Sequence, residues 1–244
     1  MINRPDNSFR ITKSNDLIDE QINRLWVSVT EDDGVTGLAR PASPTAMYIL
    51  GGKGSGKSHL MRYYSFPVQL IRYHENGISV VDGVRKDGYV GIYAQCGGMD
   101  SSRFGGKALD EEKWSALFAY YFELWVADKT LSAIETLTEQ GLISPETDAA
   151  IAEAIAGLLD KQVAQNTSIA GARAFFGEVR RTLDYKANNA AFTDQLDAEI
   201  LVTGGRLFFG LPRVFCAHID FLRYAIFVYL LDEFENFYIP DRFI

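Results

Sequence analysis

Eight residues, Gly51-Gly52-Lys53-Gly54-Ser55-Gly56-Lys57-Ser58, carry the clearest chemistry in this chain. They fit G-x-x-x-x-G-K-[ST], the spacing of a phosphate-binding P-loop. Glycines let the backbone take positive φ and approach phosphate oxygens with no Cβ in the way. Successive N–H groups then form an anion nest at the positive end of the helix that follows. The candidate nucleotide-binding residues are therefore Gly52, Lys53, Gly54, Ser55, Gly56, Lys57, Ser58 and His59. Lys57 is placed to reach the β- and γ-phosphates, and the Ser58 hydroxyl is a candidate ligand of Mg²⁺.

A second group lies far along the chain. Ala225-Ile226-Phe227-Val228-Tyr229-Leu230-Leu231 is the most hydrophobic strand-like run, and Asp232-Glu233 follow at once. This is the Walker B arrangement. Asp232 is a candidate ligand of Mg²⁺ and its waters, and Glu233 is a candidate catalytic group that polarises the attacking water, alongside Lys57. A buried strand suits the task because both carboxylates must be held rigidly. The two halves together point to hydrolysis rather than binding alone.

These residues need elements to position them. Met47-Tyr48-Ile49-Leu50 reads as a buried strand entering the loop, and His59 to Tyr64 reads as the helix leaving it. Asn76-Gly77 and Asp82-Gly83 read as turns, and Tyr89 to Ala94 as a second buried strand. The loop from Gln95 to Lys107 is glycine-rich and is expected to wall the site, with Arg103 and Lys107 as its cations. Asp110 caps a long helical block over 109–140, in which Trp114, Leu117, Phe118, Tyr121, Leu124 and Trp125 recur at helical spacing and form a packing face. Ser144-Pro145 starts another helix, through about Leu159, and further helices are expected over 168–186 and 193–202. Before the loop, residues from Asn15 or Asp16 to Val29 read as a capped amphipathic helix with Leu17, Ile18, Ile22, Leu25 and Trp26 on its apolar side.

The expected fold is α/β, a P-loop NTPase with a three-layer parallel sheet and a large helical insertion. Residues 1–46 form a lead-in helix and linker, and 47–244 form the core, with the insertion at about 109–205. At 244 residues and 47% hydrophobic, the chain is long and apolar enough to bury a substantial core. No apolar run approaches the ~20 residues that cross a bilayer, and the first residues lack a signal peptide's apolar core, so a cytoplasmic protein without membrane contact is expected. A net charge of −8 argues against a general nucleic-acid coat. Cys96 and Cys216 lack Cys-x-x-Cys spacing and read as buried thiols; the three histidines are scattered, so no zinc site is expected.

The loop Gly51–Ser58 with His59-Leu60-Met61-Arg62, the strand Gly91-Ile92-Tyr93, Arg103-Phe104, Trp114 with Phe118 and Tyr121, and the ending Leu230-Leu231-Asp232-Glu233-Phe234-Glu235-Asn236-Phe237 resemble bacterial ATPases grouped as ORC-CDC6-like AAA proteins. The resemblance covers roughly 45 to 130 and 220 to 238. It implies an ASCE-type ATPase that uses ATP and Mg²⁺ for assembly, remodelling or work on nucleic acid, some relatives being parts of anti-phage or mobile-element systems. It also implies a homo-oligomer or an effector partner such as a nuclease, and adenine as the base. In that family a sensor residue, an arginine finger and a helical lid follow Walker B. Since this sequence ends at Ile244, they are expected from a longer chain or a partner.

Overall fold

The computed structural model describes residues 14–26, 40–43, 45–99, 103–160, 167–193 and 195–233. Two runs rich in β-branched and aromatic side chains, β1 (Tyr89–Gln95) and β2 (Ile226–Asp232), pair in parallel. The register runs from Tyr89 opposite Ile226 to Gln95 opposite Asp232. Parallel neighbours need a crossover connection. Here the crossover is a block of helices: α5 (Glu111–Glu139), α6 (Pro145–Ala156), α7 (Ile169–Thr193) and α8 (Arg206–His218). Before β1 come α1 (Asp19–Arg24), α2 (Lys57–Tyr63), α3 (Phe66–Glu75) and α4 (Val80–Asp87).

The outer edge of β1 is closed by a side chain. Gln69 of α3 is fully buried; its amide nitrogen donates to the Tyr89 carbonyl at 3.3 Å and its oxygen accepts from the Gly91 N–H at 3.1 Å. One glutamine thus satisfies a donor and an acceptor that a third strand would otherwise take. Gly91 is required on this edge, because a Cβ there would lie 1.9 Å from the Tyr64 carbonyl oxygen.

The insertion is built on α5. Asp110 caps it by accepting from the Lys113 N–H at 2.9 Å, and the aromatic stripe Trp114, Leu117, Phe118, Tyr121, Leu124 and Trp125 is buried as a packing face. Helix α7 lies antiparallel against it. Arg173 bridges Asp128 at 3.0 Å and Glu135 at 2.6 Å, while Asp184 accepts from Tyr121 at 3.3 Å and pairs with Arg103. Helix α8 starts where the buried Glu123 carboxylate accepts the Leu207 N–H at 2.5 Å. Pro212 stands inside α8 and has no N–H for the Phe208 carbonyl. The Tyr229 hydroxyl of β2 donates to that carbonyl at 3.0 Å, so the gap becomes a tie between helix and sheet.

Five expectations change. In place of the expected three-layer parallel sheet, the described residues form a sheet of two parallel strands. Met47–Leu50 is no strand: it pairs with nothing in the sheet, and Tyr48 and Leu50 are each 90% exposed. An apolar run forms a ladder only where a neighbouring strand supplies partners, and no described strand stands beside it. Asp82-Gly83 is no turn but the middle of α4, where glycine allows close approach: a Cβ would meet the Tyr73 ring at 2.6 Å. Among the described residues the helix expected over 193–202 is not formed: the preceding helix ends at Thr193, whose hydroxyl donates to the Asn189 and Gln195 carbonyls, and 195–202 are irregular. At the front, the expected helix is a 3₁₀ turn at Ser14–Asp16 followed by α1; its other end, from Val27 to Val29, lies outside the described residues.

Candidate functional site

The phosphate loop takes its expected backbone. Gly54 and Gly56 have φ of 83° and 87°, which side-chain-bearing residues rarely adopt, and Gly56 stands immediately before α2. The Leu60 N–H donates to the Gly56 carbonyl at 2.9 Å, so the helix begins within the motif. Gly51 to Gly56 are all exposed, including Lys53, while Lys57, Ser58 and His59 are half-buried. The Lys57 ammonium donates to the carbonyls of Gly51 at 2.7 Å and Gly52 at 3.2 Å, folding the side chain over its own loop.

Packing aims α2. Leu60 and Tyr64 share a cluster with Tyr89 and with Ile226, Val228 and Leu230 of β2. The far end of α2 sits at the start of β1, where the Tyr64 ring meets that of Tyr89 edge-on at 6.1 Å and the Tyr64 carbonyl touches Gly91. The helix therefore runs against the strands. Its first turn, about 10 Å away by helix rise, points to their carboxyl ends. Arg62 fixes the lead-in segment to this helix by donating to the carbonyls of Ser14 at 2.6 Å and Leu17 at 2.7 Å and to the Asp19 carboxylate at 2.5 Å. Trp26 stacks on Tyr63 at 4.0 Å and lies 6.0 Å from His59. Burial pushes the His59 imidazole below its ordinary value, and its Nε2 is buried without a hydrogen-bond partner.

The acid pair lies at that carboxyl end. Asp232 is 2% exposed and both its oxygens are engaged: Oδ2 accepts from the Tyr93 hydroxyl at 2.8 Å, and Oδ1 accepts from the Glu233 N–H at 3.0 Å. Burial and this bond to Asp232 together raise the Tyr93 phenol well above its ordinary value, so it stays a donor. Glu233 is the one described non-glycine residue at positive φ, 57°. Its carboxylate lies over Gly97, where a Cβ would stand 2.1 Å from Oε2.

The structure thus turns the Lys57–Ser58 end of α2 toward the end of the sheet that carries Asp232 and Glu233. It does not gather the whole expected wall. Arg103 turns away to Asp184 on α7, Lys107 is exposed, and Asp100, Ser101 and Ser102 lie outside the described residues, as do Phe234 to Phe237. Tyr93 and Arg62, read in the sequence only as part of the resemblance, and Gly97, read only as part of the loop, were given no role of their own there. A phenol near the end of an otherwise apolar strand was the available signal for Tyr93. Among the described residues no helix is long and apolar enough to cross a membrane.

Chemically the arrangement offers a nest of N–H donors with an ammonium, a serine hydroxyl, and a fixed aspartate with a glutamate beside it. Hard oxygen donors of this kind suit Mg²⁺, and the nest suits phosphate. A sequence profile of the ORC-CDC6-like family matches residues 7–238, which includes both motifs and the insertion between them. No curated protein and no solved structure matches the chain. The chain belongs to the ORC-CDC6-like family, among the AAA-type ATPases.

Proposed function

We propose that the protein binds ATP with Mg²⁺ and hydrolyses it to drive an assembly or remodelling step. The observation that carries this reading is the orientation of α2, whose glycine-loop end points to the end of the sheet bearing Asp232 and Glu233. Backbone amides from Gly52 to His59 would hold the phosphates, and Lys57 would leave its own loop carbonyls to bind the β- and γ-oxygens. Ser58 and Asp232 would hold Mg²⁺, which when bound neutralises charge on the phosphates. Glu233 would accept hydrogen-bonding from the attacking water and draw off its proton. In domain terms, residues 1–46 would be the lead-in and 47–244 the ATPase core, interrupted by the insertion at about 109–205.

The test pairs calorimetric binding of ATP and Mg²⁺ with phosphate release from the same sample. Glu233→Gln should keep binding and lower turnover by about 10²- to 10⁴-fold, the usual contribution of a general base. Turnover unchanged in that variant would remove Glu233 from the mechanism.

A second reading is a nucleotide-gated module that turns over little and recruits an effector such as a nuclease. The exposed run Met47–Leu50, directly ahead of the phosphate loop, favours it, because a large uncovered apolar segment there suits contact with another polypeptide. Sizing with and without Mg-ATP separates the two: nucleotide-dependent assembly without phosphate release supports the module. A DNA-associated or anti-phage setting draws support from the family alone, and the net charge of −8 lends it none.

A further inference from the structure

We infer that Tyr93 is a positioning residue for metal binding at Asp232, an inference that rests on the nucleotide reading above. The two residues are 139 positions apart in sequence and meet because β1 and β2 pair in register. An ionised carboxylate offers about four lone-pair sites on its two oxygens. In Asp232 one site on Oδ2 is taken by the Tyr93 hydroxyl and one on Oδ1 by the Glu233 N–H. One donor comes from β1 and the other from the residue just past β2, so they fix the carboxylate plane between them. The remaining lone pairs are left for a cation.

The choice of donor matters. A lysine or arginine at position 93 would bring a full positive charge against Asp232 and compete with the cation it is meant to attract. A phenol orients the carboxylate by a charge-assisted bond while leaving its negative charge intact. Packing alone does not call for this residue. Tyr93 is only half-buried, and its side lines an open cavity of about 340 Å³ shared with Gln95, Lys129, Ser132 and Thr136. A ring beside a cavity adds little to the core, so the hydroxyl is what the position supplies.

The experiment measures Mn²⁺ binding by the loss of its free electron-spin-resonance signal, with a non-hydrolysable ATP analogue held at saturation. Wild type, Tyr93→Phe, Tyr93→Leu and Lys57→Ala are compared, and analogue affinity without metal and thermal midpoints are recorded alongside. Outer-shell partners of metal ligands change affinity by about 10- to 100-fold, so Tyr93→Phe should weaken Mn²⁺ by at least about tenfold while metal-free analogue binding stays within about twofold. Tyr93→Leu removes the ring as well and should weaken Mn²⁺ by the same factor as Tyr93→Phe, even if its midpoint is lower. Mn²⁺ affinity unchanged in Tyr93→Phe, or a loss that follows the thermal midpoint from Phe to Leu, overturns the inference and leaves the nucleotide reading standing. Wild type that binds no analogue, or binds it equally well as Lys57→Ala, overturns both.

Discussion

Every residue from Gly51 to Gly56 is exposed and Lys57 bonds to carbonyls of that loop, whereas Asp232 is 2% exposed and held by the Tyr93 hydroxyl of β1 and the Glu233 N–H just past β2. The two halves of one site are thus held by different means. The phosphate half is a local object, shaped by its glycines and by the start of α2, with a cation held by carbonyls of its own loop. The acidic half is made by tertiary structure, from β2, from Tyr93 on the neighbouring strand and from the space over Gly97. Changes to the first should alter binding and leave stability alone. Changes to the second should disturb the packing or the chemistry at the end of the sheet.

The largest effect that tests this contrast is in Lys57→Ala. Hydrogen bonds to a charged group are worth about 1.5–3 kcal/mol, so nucleotide affinity should fall by about 10- to 100-fold in a calorimetric titration. The thermal midpoint should stay within about 2 °C, because surface changes away from buried groups stay within about 0.5 kcal/mol. A marked drop in midpoint would break the comparison. Asp232→Ala should do the reverse and lower stability, since it leaves the Tyr93 hydroxyl unpaired. An orphaned donor costs about 1–3 kcal/mol, which is a midpoint shift of about 2–12 °C for a chain of this size. Gly97→Ala should be milder. The new methyl group displaces the Glu233 carboxylate, so phosphate release should fall several-fold while ATP affinity, measured separately, is unchanged.

The smallest effect is on the alkaline side. Tyr93 and Tyr89 are raised chiefly by burial, and Tyr64 is pushed up to about 12 by burial. Below the ordinary tyrosine value of about 10, folded and unfolded chains hold the same phenolic protons. As pH rises past it, the unfolded chain releases protons that the folded chain keeps, and stability falls. Tyr93→Phe should make that fall shallower in denaturant titrations between pH 9 and 11, while Lys57→Ala should leave its slope unchanged.

The same contrast explains what could be read from sequence. The phosphate loop, the Asp110 cap, the α5 stripe and the Ser144-Pro145 start are short-range patterns, and the structure carries all of them. The strand β2 and its terminal Asp232 were legible because apolar run and acid pair are contiguous. Tyr93 was not, since its partner lies 139 residues away and only strand register joins them. Asp82-Gly83 misled because glycine marks a close approach to the Tyr73 ring as readily as a turn. The run Met47–Leu50 misled because alternation and hydrophobicity describe a strand's side chains and say nothing of whether a neighbour supplies its hydrogen bonds.

Glu233 stands at φ 57°, a conformation in which glycine is relaxed and a side-chain-bearing residue is strained by about 1–2 kcal/mol. Evolution of a more durable version of this protein would therefore find an easy route at the very residue assigned to water activation. Glycine there would relieve the strain and give up the carboxylate. On the role proposed for Glu233, relief of backbone strain and loss of the water-activating carboxylate come together at position 233.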